Sequence, residues 1–306
     1  MTRVAAVDLG TNSLRLLVAD LEPSGSEPQS LEEVHRETRI VRLGEGVDER
    51  RRLLPEPIAR ARNVLVDFRR GAEELGAERV LLVATSAVRD AENGEAFLGE
   101  IQWSYGFSTR LLTGDEEAEL TYRGVGRPDA LVVDLGGGST ELIGPDVHVS
   151  LDVGSVRLTE RYLRSDPPTA DELDEAARLV RSLLPPLVPR TTIGVAGTFT
   201  TLAALELGGY DPARTHGFEL VRDAVERWTE TLASVPVAER EFPGLEPARA
   251  PVIVGGALIV RELMRHAGLD AIEISERDLL DGAALLAAEL PESSEGDAPP
   301  GAYTCC

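Results

Sequence analysis

The sequence predicts an α/β protein made of two related domains that face a shared central cleft. Apolar strands alternate with amphipathic helices, as where a predicted helix from Pro57 to Leu75 precedes a strand from Arg79 to Ala84. A hairpin of one design, Asp-Leu-Gly followed by hydroxyl residues, occurs at Asp8 and again at Asp134, about 126 residues later. The chain has 306 residues, enough for two domains with their own cores.

The composition excludes several classes of function. The net charge is −22, and a general nucleic-acid binder needs a basic surface, so we expect no nucleic-acid partner. The sequence contains no lysine, so all 31 basic residues are arginines. A P-loop lysine, a Schiff-base lysine and a Ser–Lys dyad are therefore excluded. Any phosphate must be bound by backbone amides, arginine or a metal ion.

No apolar run approaches the ~20 residues that a membrane-spanning helix needs, and Met1 leads directly into the first strand. We therefore expect a cytoplasmic protein with no membrane partner. The two cysteines, Cys305 and Cys306, are adjacent, so they are interpreted as tail residues rather than as a redox or lipidation site.

The first hairpin begins with the apolar strand Val4 to Val7. It continues through Asp8-Leu9-Gly10-Thr11-Asn12-Ser13 into a second apolar run, Leu14 to Ala19. Glycine lets the backbone approach an anion closely, so this loop is a candidate phosphate site.

The second hairpin follows the strand Ala130 to Val133 and contains Gly136-Gly137-Gly138 before Ser139. Three consecutive glycines have no evident packing use in a hairpin, which favours close approach of N–H groups to phosphate. Asp134 at the strand end suits a hard divalent cation. The alternative interpretation is a glycine-rich turn with a solvated aspartate.

The region after the first hairpin consists of an extended segment, Ser30 to Leu43, and a polar, arginine-rich loop, Gly44 to Leu54. The helix and strand named above come next. Thr85 and Arg89 follow the carboxyl end of that strand. Sites in open α/β sheets form at the carboxyl ends of strands. Arg89 is therefore a candidate ligand, with a surface ion pair as the alternative.

A helix beginning at Gly114 follows the next strand, Phe107 to Leu112. Asp115, Glu116 and Glu117 lie in its first turn, where the helix dipole favours acids, and this explanation suffices for most of them. The functional alternative is that one glutamate points into the cleft.

The second half contains a strand from Val147 to Val153 and then a helix with a serine cap at Ser155. Arg157 and Arg161 on this helix are interpreted mainly as surface charges, with binding of the further phosphates of a bound chain as the alternative. A further helix runs from about Ala170 to Leu184. The strand Thr192 to Ala196 leads into Gly197-Thr198, which is either a phosphate loop or a plain turn with a capping threonine.

These patterns predict an N-terminal domain over residues 1–124 and a C-terminal domain over residues 125–278. A final helix, residues 279–290, is expected to pack back on the N-terminal domain. Residues 291–306 are rich in Ser, Glu, Pro and Gly and are expected to be a disordered tail.

The paired hairpins resemble those of the actin, hexokinase and Hsp70 (ribonuclease H-like) fold. Within that superfamily an ordered set of motifs resembles the exopolyphosphatase and guanosine pentaphosphate phosphohydrolase family, in its short two-domain actinobacterial branch. These motifs are Asp8–Ser13, Thr85–Arg89, Gly114–Ala118, Asp134–Leu142, Gly197-Thr198 and Ser275–Gly282. The segment Val252 to Leu258 also has the strand–Gly-Gly–helix form of the superfamily's adenosine motif.

The resemblance implies a role for each matching residue. Glu117 corresponds to the catalytic general base, and Asp134 and Glu141 correspond to ligands of Mg²⁺. The remaining positions correspond to phosphate-binding residues, namely Asp8, Gly10, Thr11, Asn12, Ser13, Arg89, Gly136, Gly137, Gly138, Ser139, Gly197 and Thr198.

The resemblance thus implies a Mg²⁺-dependent phosphohydrolase that releases orthophosphate from polyphosphate ends, from guanosine pentaphosphate, or from both. A small-molecule kinase using ATP is the main alternative, because Gly255-Gly256 fits an adenosine site. A nucleotide-gated switch or filament protein is a third, although the chain has no peptide-binding domain. A homodimer is expected from family habit.

Overall fold

The structure is a computed structural model that describes residues 1–22 and 31–290. The predicted disordered tail, with Cys305 and Cys306, lies outside these residues. The chain divides into two compact units, one comprising Met1–Gly124 with the chain from Leu279, and the other Val125–Asp278.

Over residues 1–22 and 31–124, the first unit contains five strands and five helices. The strands are β1 (Thr2–Leu9), β2 (Ser13–Leu21), β3 (Leu31–Ile40), β4 (Arg79–Ala84) and β5 (Ser108–Leu111). The helices are α1 (Val47–Arg50), α2 (Pro55–Glu74), α3 (Ser86–Arg89), α4 (Gly94–Tyr105) and α5 (Gly114–Val125).

The strands of the first unit form one sheet in the order β3-β2-β1-β4-β5. Strands β1, β2 and β3 are antiparallel neighbours, whereas β4 is parallel to β1 and β5 is parallel to β4. The carboxyl ends of β1 and β4 therefore meet at one edge of the sheet, where Asp8 and Thr85 lie.

Both faces of the central strand β1 are buried, in keeping with its apolar character, whereas the edge strand β3 is largely exposed or half-buried. Ala5 and Val7 pack into one core with Leu65 and Phe68 of α2. The alternate residues Val4 and Ala6 belong to a separate core on the opposite face. This alternation follows from the two-residue period of a strand.

The second unit contains six strands and six α-helices. The strands are β6 (Leu131–Leu135), β7 (Thr140–Gly144), β8 (Val147–Leu151), β9 (Thr192–Val195), β10 (Glu219–Val221) and β11 (Ala271–Ile274). The helices are α6 (Ser155–Tyr162), α7 (Ala170–Leu183), α8 (Gly197–Leu207), α9 (Pro212–Thr215), α10 (Arg222–Ala233) and α11 (Ile253–Ala267).

The second sheet repeats the order of the first. It runs β8-β7-β6-β9-β11, and β10 is added at the far edge. Strands β6, β7 and β8 are antiparallel, and β9 is parallel to β6, as in the first unit. Two sheets of shared topology, each with flanking helices, confirm the predicted α/β class with two actin-like domains.

The last described helix, α12 (Leu279–Glu289), belongs to the first unit although it follows the second in sequence. Leu280, Ala283 and Ala287 are fully buried in the core on the α12 face of the first sheet. Arg36 on β3 donates to both carboxylate oxygens of Asp281, at 3.1 and 3.0 Å. Apolar burial and an ion pair thus attach α12 to this sheet.

The predicted strand before Gly255-Gly256 is wrong. Helix α11 begins at Ile253, so both glycines lie in its first turn. A Cβ on Gly255 would approach the Ser155 carbonyl and Thr159 of α6, and one on Gly256 would approach Thr198 of α8. These glycines serve close helix packing, a tertiary requirement that the local pattern does not reveal.

Three smaller differences concern elements that the sequence pattern did not indicate. Helix α4, the short strand β10 and the single turn α1 were not predicted. Helix α1 lies inside the segment interpreted as a polar loop. Across the described residues, no helix is both long and apolar enough to cross a membrane.

Candidate active site

The first hairpin places its predicted residues in one tight turn between β1 and β2. The Gly10 N–H donates to the Ser13 carbonyl at 3.1 Å. A Cβ on Gly10 would lie 2.9 Å from that carbonyl oxygen, so the turn requires glycine. Thr11 and Asn12 at the tip are both buried. The Thr11 hydroxyl is 2.8 Å from the Ser86 hydroxyl at the start of α3, which links the hairpin to the end of β4.

Asp8 forms an ion pair across this hairpin. Its register partner is Arg15, whose Nε and Nη2 donate to Asp8 Oδ2 at 2.9 and 2.8 Å. A mostly buried guanidinium therefore lies beside the loop. Arg15 was not among the predicted site residues, although the hairpin register, which pairs residue 15 with residue 8, could have indicated it.

The second hairpin repeats the turn of the first. The Gly136 N–H donates to the Ser139 carbonyl at 3.0 Å, which corresponds to the bond between Gly10 and Ser13. Asp134 is paired in register with Glu141, the position equivalent to Arg15. The two hairpins therefore have the same backbone conformation. They differ in charge, because the second has a glutamate at the position where the first has an arginine.

The backbone of this glycine loop also packs against the start of α6, a contact that the sequence pattern did not indicate. A Cβ on Gly154 would collide with the backbone of Gly137. The Ser155 N–H donates to the Gly136 carbonyl at 3.0 Å, and the Val156 N–H donates to the Gly137 carbonyl at 2.8 Å. The glycine loop is thus fixed against the start of α6.

Two predictions about α6 are wrong because the start of this helix packs closely against the glycine loop. Gly154, not a serine, is the N-cap residue, and no side chain caps the helix, because only glycine can approach the loop so closely. Arg157 is buried rather than a surface charge, and its Nε donates to the Gly138 carbonyl at 2.7 Å. It therefore holds the third glycine in place.

The three consecutive acids in the first turn of α5 have different environments. Thr113 and Glu116 form a reciprocal cap, in which the Thr113 N–H donates to Glu116 Oε2 at 2.8 Å and the Glu116 N–H to Thr113 Oγ1 at 3.2 Å. The Thr113 backbone amide, and then Arg110, lower the pKa of Glu116. Asp115 is exposed, whereas Glu117 is only 6% exposed. The buried acid is therefore the one that the resemblance indicates.

Arg89 contacts Glu117 directly. It lies at the end of α3, just beyond β4, and its Nη1 donates to Glu117 Oε2 at 3.2 Å and to the Leu112 carbonyl at 2.7 Å. The carboxylate and the guanidinium therefore have a defined orientation at the edge of the sheet that also carries the first hairpin. An ion pair is present, as the alternative interpretation of Arg89 proposed, but it is not an exposed one.

Gly197 and Thr198 begin α8 after β9, at the same edge of the second sheet as Asp134. No threonine caps this helix, because Ala196 is the N-cap and has no side-chain cap bond. A Cβ on Gly197 would collide with the guanidinium of Arg249, which therefore lies against this turn. Arg249 was not predicted, since 52 residues separate it from Gly197 and no local signal links them.

The donor set on the second hairpin fits a magnesium ion. Asp134 and Glu141 are opposite each other in the register, so both carboxylates project from one face, and both are buried. Ser150 donates to Glu141 Oε1 at 2.7 Å. No cluster of three or more His, Cys, Asp or Glu suited to a metal occurs in the described part of the chain. Mg²⁺ commonly uses one or two carboxylates and completes its shell with water and substrate phosphates.

Comparisons with known proteins agree on one family. Residues 24–288 match the Ppx/GppA phosphatase family. Exopolyphosphatase 2 of Mycobacterium tuberculosis is 45% identical over 314 residues, with 93% of this chain and 98% of that protein aligned. A bifunctional 3-dehydroquinate synthase/phosphatase of Fusobacterium nucleatum is 31% identical over 92% of this chain, which matches 46% of that longer protein.

Solved structures support the same conclusion. A PPX-GPPA enzyme from Aquifex aeolicus aligns with a TM-score of 0.77 and 32% identity, covering 94% of this chain and 99% of that one. An exopolyphosphatase from Cytophaga hutchinsonii aligns with a TM-score of 0.83, 96% of this chain and 100% of that one, and at 24% identity it supports the fold alone. The chain therefore belongs to the Ppx/GppA phosphatase family.

Proposed function

We propose that this protein is an exopolyphosphatase, a hydrolase that releases terminal orthophosphate from inorganic polyphosphate. The observation that carries the proposal is the buried Glu117, held by Arg89 at the sheet edge that also carries a glycine hairpin. The 45% identity to a protein named exopolyphosphatase 2 supports polyphosphate as the substrate.

Glu117 is proposed to act on the attacking water. The water oxygen bonds to the terminal phosphorus, the bond from that phosphorus to its bridging oxygen breaks, and the proton passes from water to the Glu117 carboxylate. The shortened polyphosphate leaves with the electrons of the broken bond as a phosphate oxyanion. Arg89 orients Glu117 and offers a fixed cation for charge that develops on the transferred phosphoryl group.

The two glycine hairpins are proposed to bind phosphate oxygens through their backbone amides. The N–H groups of residues 11–13 in the first unit and of residues 137–139 in the second are the candidate donors. Arg15 neutralises Asp8, so the first hairpin adds no net charge that would repel an anion. Arg249 places a cation beside the Gly197-Thr198 turn.

Asp134 and Glu141 are proposed to hold Mg²⁺ together with water and substrate phosphate. Bound there, the ion would neutralise phosphate oxygens and stabilise the negative charge of the transition state. Asp134→Asn should raise the Mg²⁺ concentration required for half-maximal activity by at least tenfold. Unchanged Mg²⁺ dependence in this variant would reject the assignment.

Guanosine pentaphosphate is proposed as a second substrate, because its 5′ end is also a chain of phosphoric anhydrides. The kinase alternative is less supported than before, since Gly255 and Gly256 lie within a packed helix instead of following a strand. A homodimer and a cytoplasmic location stay predictions. Sedimentation of the purified protein with and without ATP tests the homodimer and the switch alternative together.

The decisive experiment measures orthophosphate release with Mg²⁺ from short polyphosphate, long polyphosphate, guanosine pentaphosphate and ATP in parallel. Release from polyphosphate, lost in Glu117→Gln with an unchanged melting temperature, is the expected result. Glu119→Gln is the matched control, because Glu119 is exposed on the same helix. A fully active Glu117→Gln enzyme would reject the mechanism, and release from guanosine pentaphosphate alone would reassign the substrate.

A further inference from the structure

The segment between β3 and α2 contains three consecutive arginines, Arg50, Arg51 and Arg52, whose side chains are exposed. Within residues 1–22 and 31–290 none of the three forms an ion pair. Nearby exposed arginines do form ion pairs, as in Arg60 with Glu45 and Arg62 with Glu100. The run therefore places three exposed guanidinium groups together on a chain whose net charge is −22, directly after the acids Asp48 and Glu49.

The start of this segment is bonded to the first hairpin. The N–H groups of Val41 and Arg42 donate to the Asn12 carbonyl at 3.0 and 2.8 Å, and the Gly44 N–H donates to the Thr11 carbonyl at 2.8 Å. A Cβ on Gly44 would collide with the Thr11 side chain. The segment thus starts in direct contact with a proposed phosphate loop.

The end of the segment is bonded to the chain that follows Arg89. The Glu92 N–H donates to the Arg51 carbonyl at 2.8 Å. The Asn93 side chain accepts from the Leu53 N–H at 2.8 Å and donates to the Leu53 carbonyl at 3.1 Å. The arginine run is consequently held between the hairpin and the connection that begins at Arg89, two groups assigned above to phosphate.

Two arginines of this segment have an unusual backbone conformation. Arg42 and Arg51 have φ values of 51° and 52°, in the left-handed region that favours glycine. Ala196, next to Gly197, is the other residue with a side chain in that region among those described. At Arg51 this conformation ends α1, of which Arg51 is the C-cap residue. At Arg51 the retained side chain is an exposed guanidinium.

We propose that Arg50, Arg51 and Arg52 form a second binding site for the substrate, which contacts phosphates further along a linear polyphosphate chain than those at the hairpin. The proposal rests on the proposed exopolyphosphatase function. Guanidinium groups bind phosphate oxygens in pairs, and a cationic patch on an acidic protein attracts a polyanion. The site sets a preference for long chains, because a short chain bound at the hairpin does not extend to it.

The test compares the triple variant Arg50→Gln, Arg51→Gly, Arg52→Gln with wild type. Glycine at position 51 suits the left-handed backbone, so loss of binding cannot be ascribed to strain. Arg70→Gln, Arg178→Gln, Arg214→Gln is the control, because it removes the same charge from three exposed arginines elsewhere. The KM for orthophosphate release is measured on polyphosphates of increasing length, at low and moderate NaCl.

The triple variant should raise the KM about tenfold for long chains and progressively less for shorter ones, while the control changes it less than twofold. The salt dependence of KM for long chains should also become weaker, because fewer phosphate contacts release counterions. An increase that is independent of chain length, or one reproduced by the control, would overturn the proposal.

A binding measurement separates this proposal from the proposed function. Titration of Glu117→Gln protein with long polyphosphate reports affinity without turnover. If wild type releases no orthophosphate, the proposed function fails, whereas weaker binding after loss of the arginine run would still support the second site. Equal affinity with and without the run would overturn the site whatever the activity.

Discussion

Arg89 donates from a single guanidinium nitrogen to two acceptors, the Leu112 carbonyl and the Glu117 carboxylate. The first bond fixes the arginine to the end of β5, and the second fixes the proposed base. A lysine has a point charge on a flexible chain and lacks the rigid fork of arginine, so it cannot reproduce this arrangement.

Arg89→Lys should therefore lower kcat by about 100-fold, the scale expected when one preorganised cationic donor is lost. The melting temperature should change little, because the site lies at the sheet edge and not in the core. Steady-state kinetics with polyphosphate, alongside Arg69→Lys on α2 as a control, checks this. A kcat within a factor of three of wild type would remove Arg89 from the mechanism.

Gly154 is the residue on which the geometry of the second hairpin depends. Gly154→Ala would introduce a methyl group into the backbone of Gly137, and such overpacking costs about 1–3 kcal/mol. We expect that loss in chemical denaturation, together with a raised requirement for Mg²⁺, because the displaced loop follows Asp134.

Gly99→Ala provides the matched control for that substitution. Gly99 lies within α4, and a Cβ there meets no atom within 4 Å. Alanine should stabilise the helix by about 0.5–1 kcal/mol. If the two glycine variants had equal stability, the packing role of Gly154 would be refuted.

Helix α5 depends on its N-terminal cap, and the cap depends on pH. The Thr113 amide and Arg110 favour the ionised form of Glu116 and so lower its pKa. A depressed pKa in the folded state stabilises the protein above the ordinary pKa of glutamate, near 4.3, and this contribution is lost as pH falls through the folded-state value.

Glu116→Ala should lower the free energy of unfolding by about 1 kcal/mol at neutral pH, as loss of a helix cap does. The difference from wild type should shrink as the pH falls below the ordinary pKa of glutamate and through the lowered folded-state pKa of Glu116. Glu119 on the same helix makes no cap bond, so Glu119→Ala should change neither the free energy of unfolding nor its dependence on pH. Urea denaturation over a pH series measures both variants, and a pH-independent difference would contradict the cap.

At the level of elements, the strands and most helices could be predicted from sequence because their signals are local. The hairpins around Gly10 and Gly136, the amphipathic α2 and the acidic start of α5 all follow from periodicity, turn residues and helix ends. The buried position of Glu117 could not be derived this way, since the sequence does not distinguish three adjacent acids. They differ only in the folded helix, where Glu116 accepts a hydrogen bond from the Thr113 N–H.

The errors arose where a tertiary contact decides a local conformation. Gly255 and Gly256 suggested a strand end, yet neighbouring helices require them within α11. Ser155 suggested a cap, yet the glycine loop excludes any side chain at the capping position. Arg249 could not be found at all, because its partner Gly197 is distant in sequence.

The charge of the whole molecule predicts its response to salt. A net charge of −22 destabilises the compact state through self-repulsion, which added salt screens. The melting temperature should rise by a few degrees between about 10 mM and about 500 mM NaCl, a shift equivalent to roughly 1 kcal/mol. The measurement uses a chloride salt instead of a sulfate, because sulfate also stabilises proteins by exclusion from their surface. A falling melting temperature would indicate that ion pairs outweigh repulsion.

The return of α12 to the first sheet has a consequence for how the chain folds during synthesis. The second unit is continuous in sequence and is complete once Asp278 has emerged from the ribosome. The first unit begins earlier, yet one face of its sheet stays uncovered until Leu279–Glu289 follows. The first unit is therefore synthesised first but completes its fold last. Nascent chains paused before α12 should expose apolar surface to chaperones.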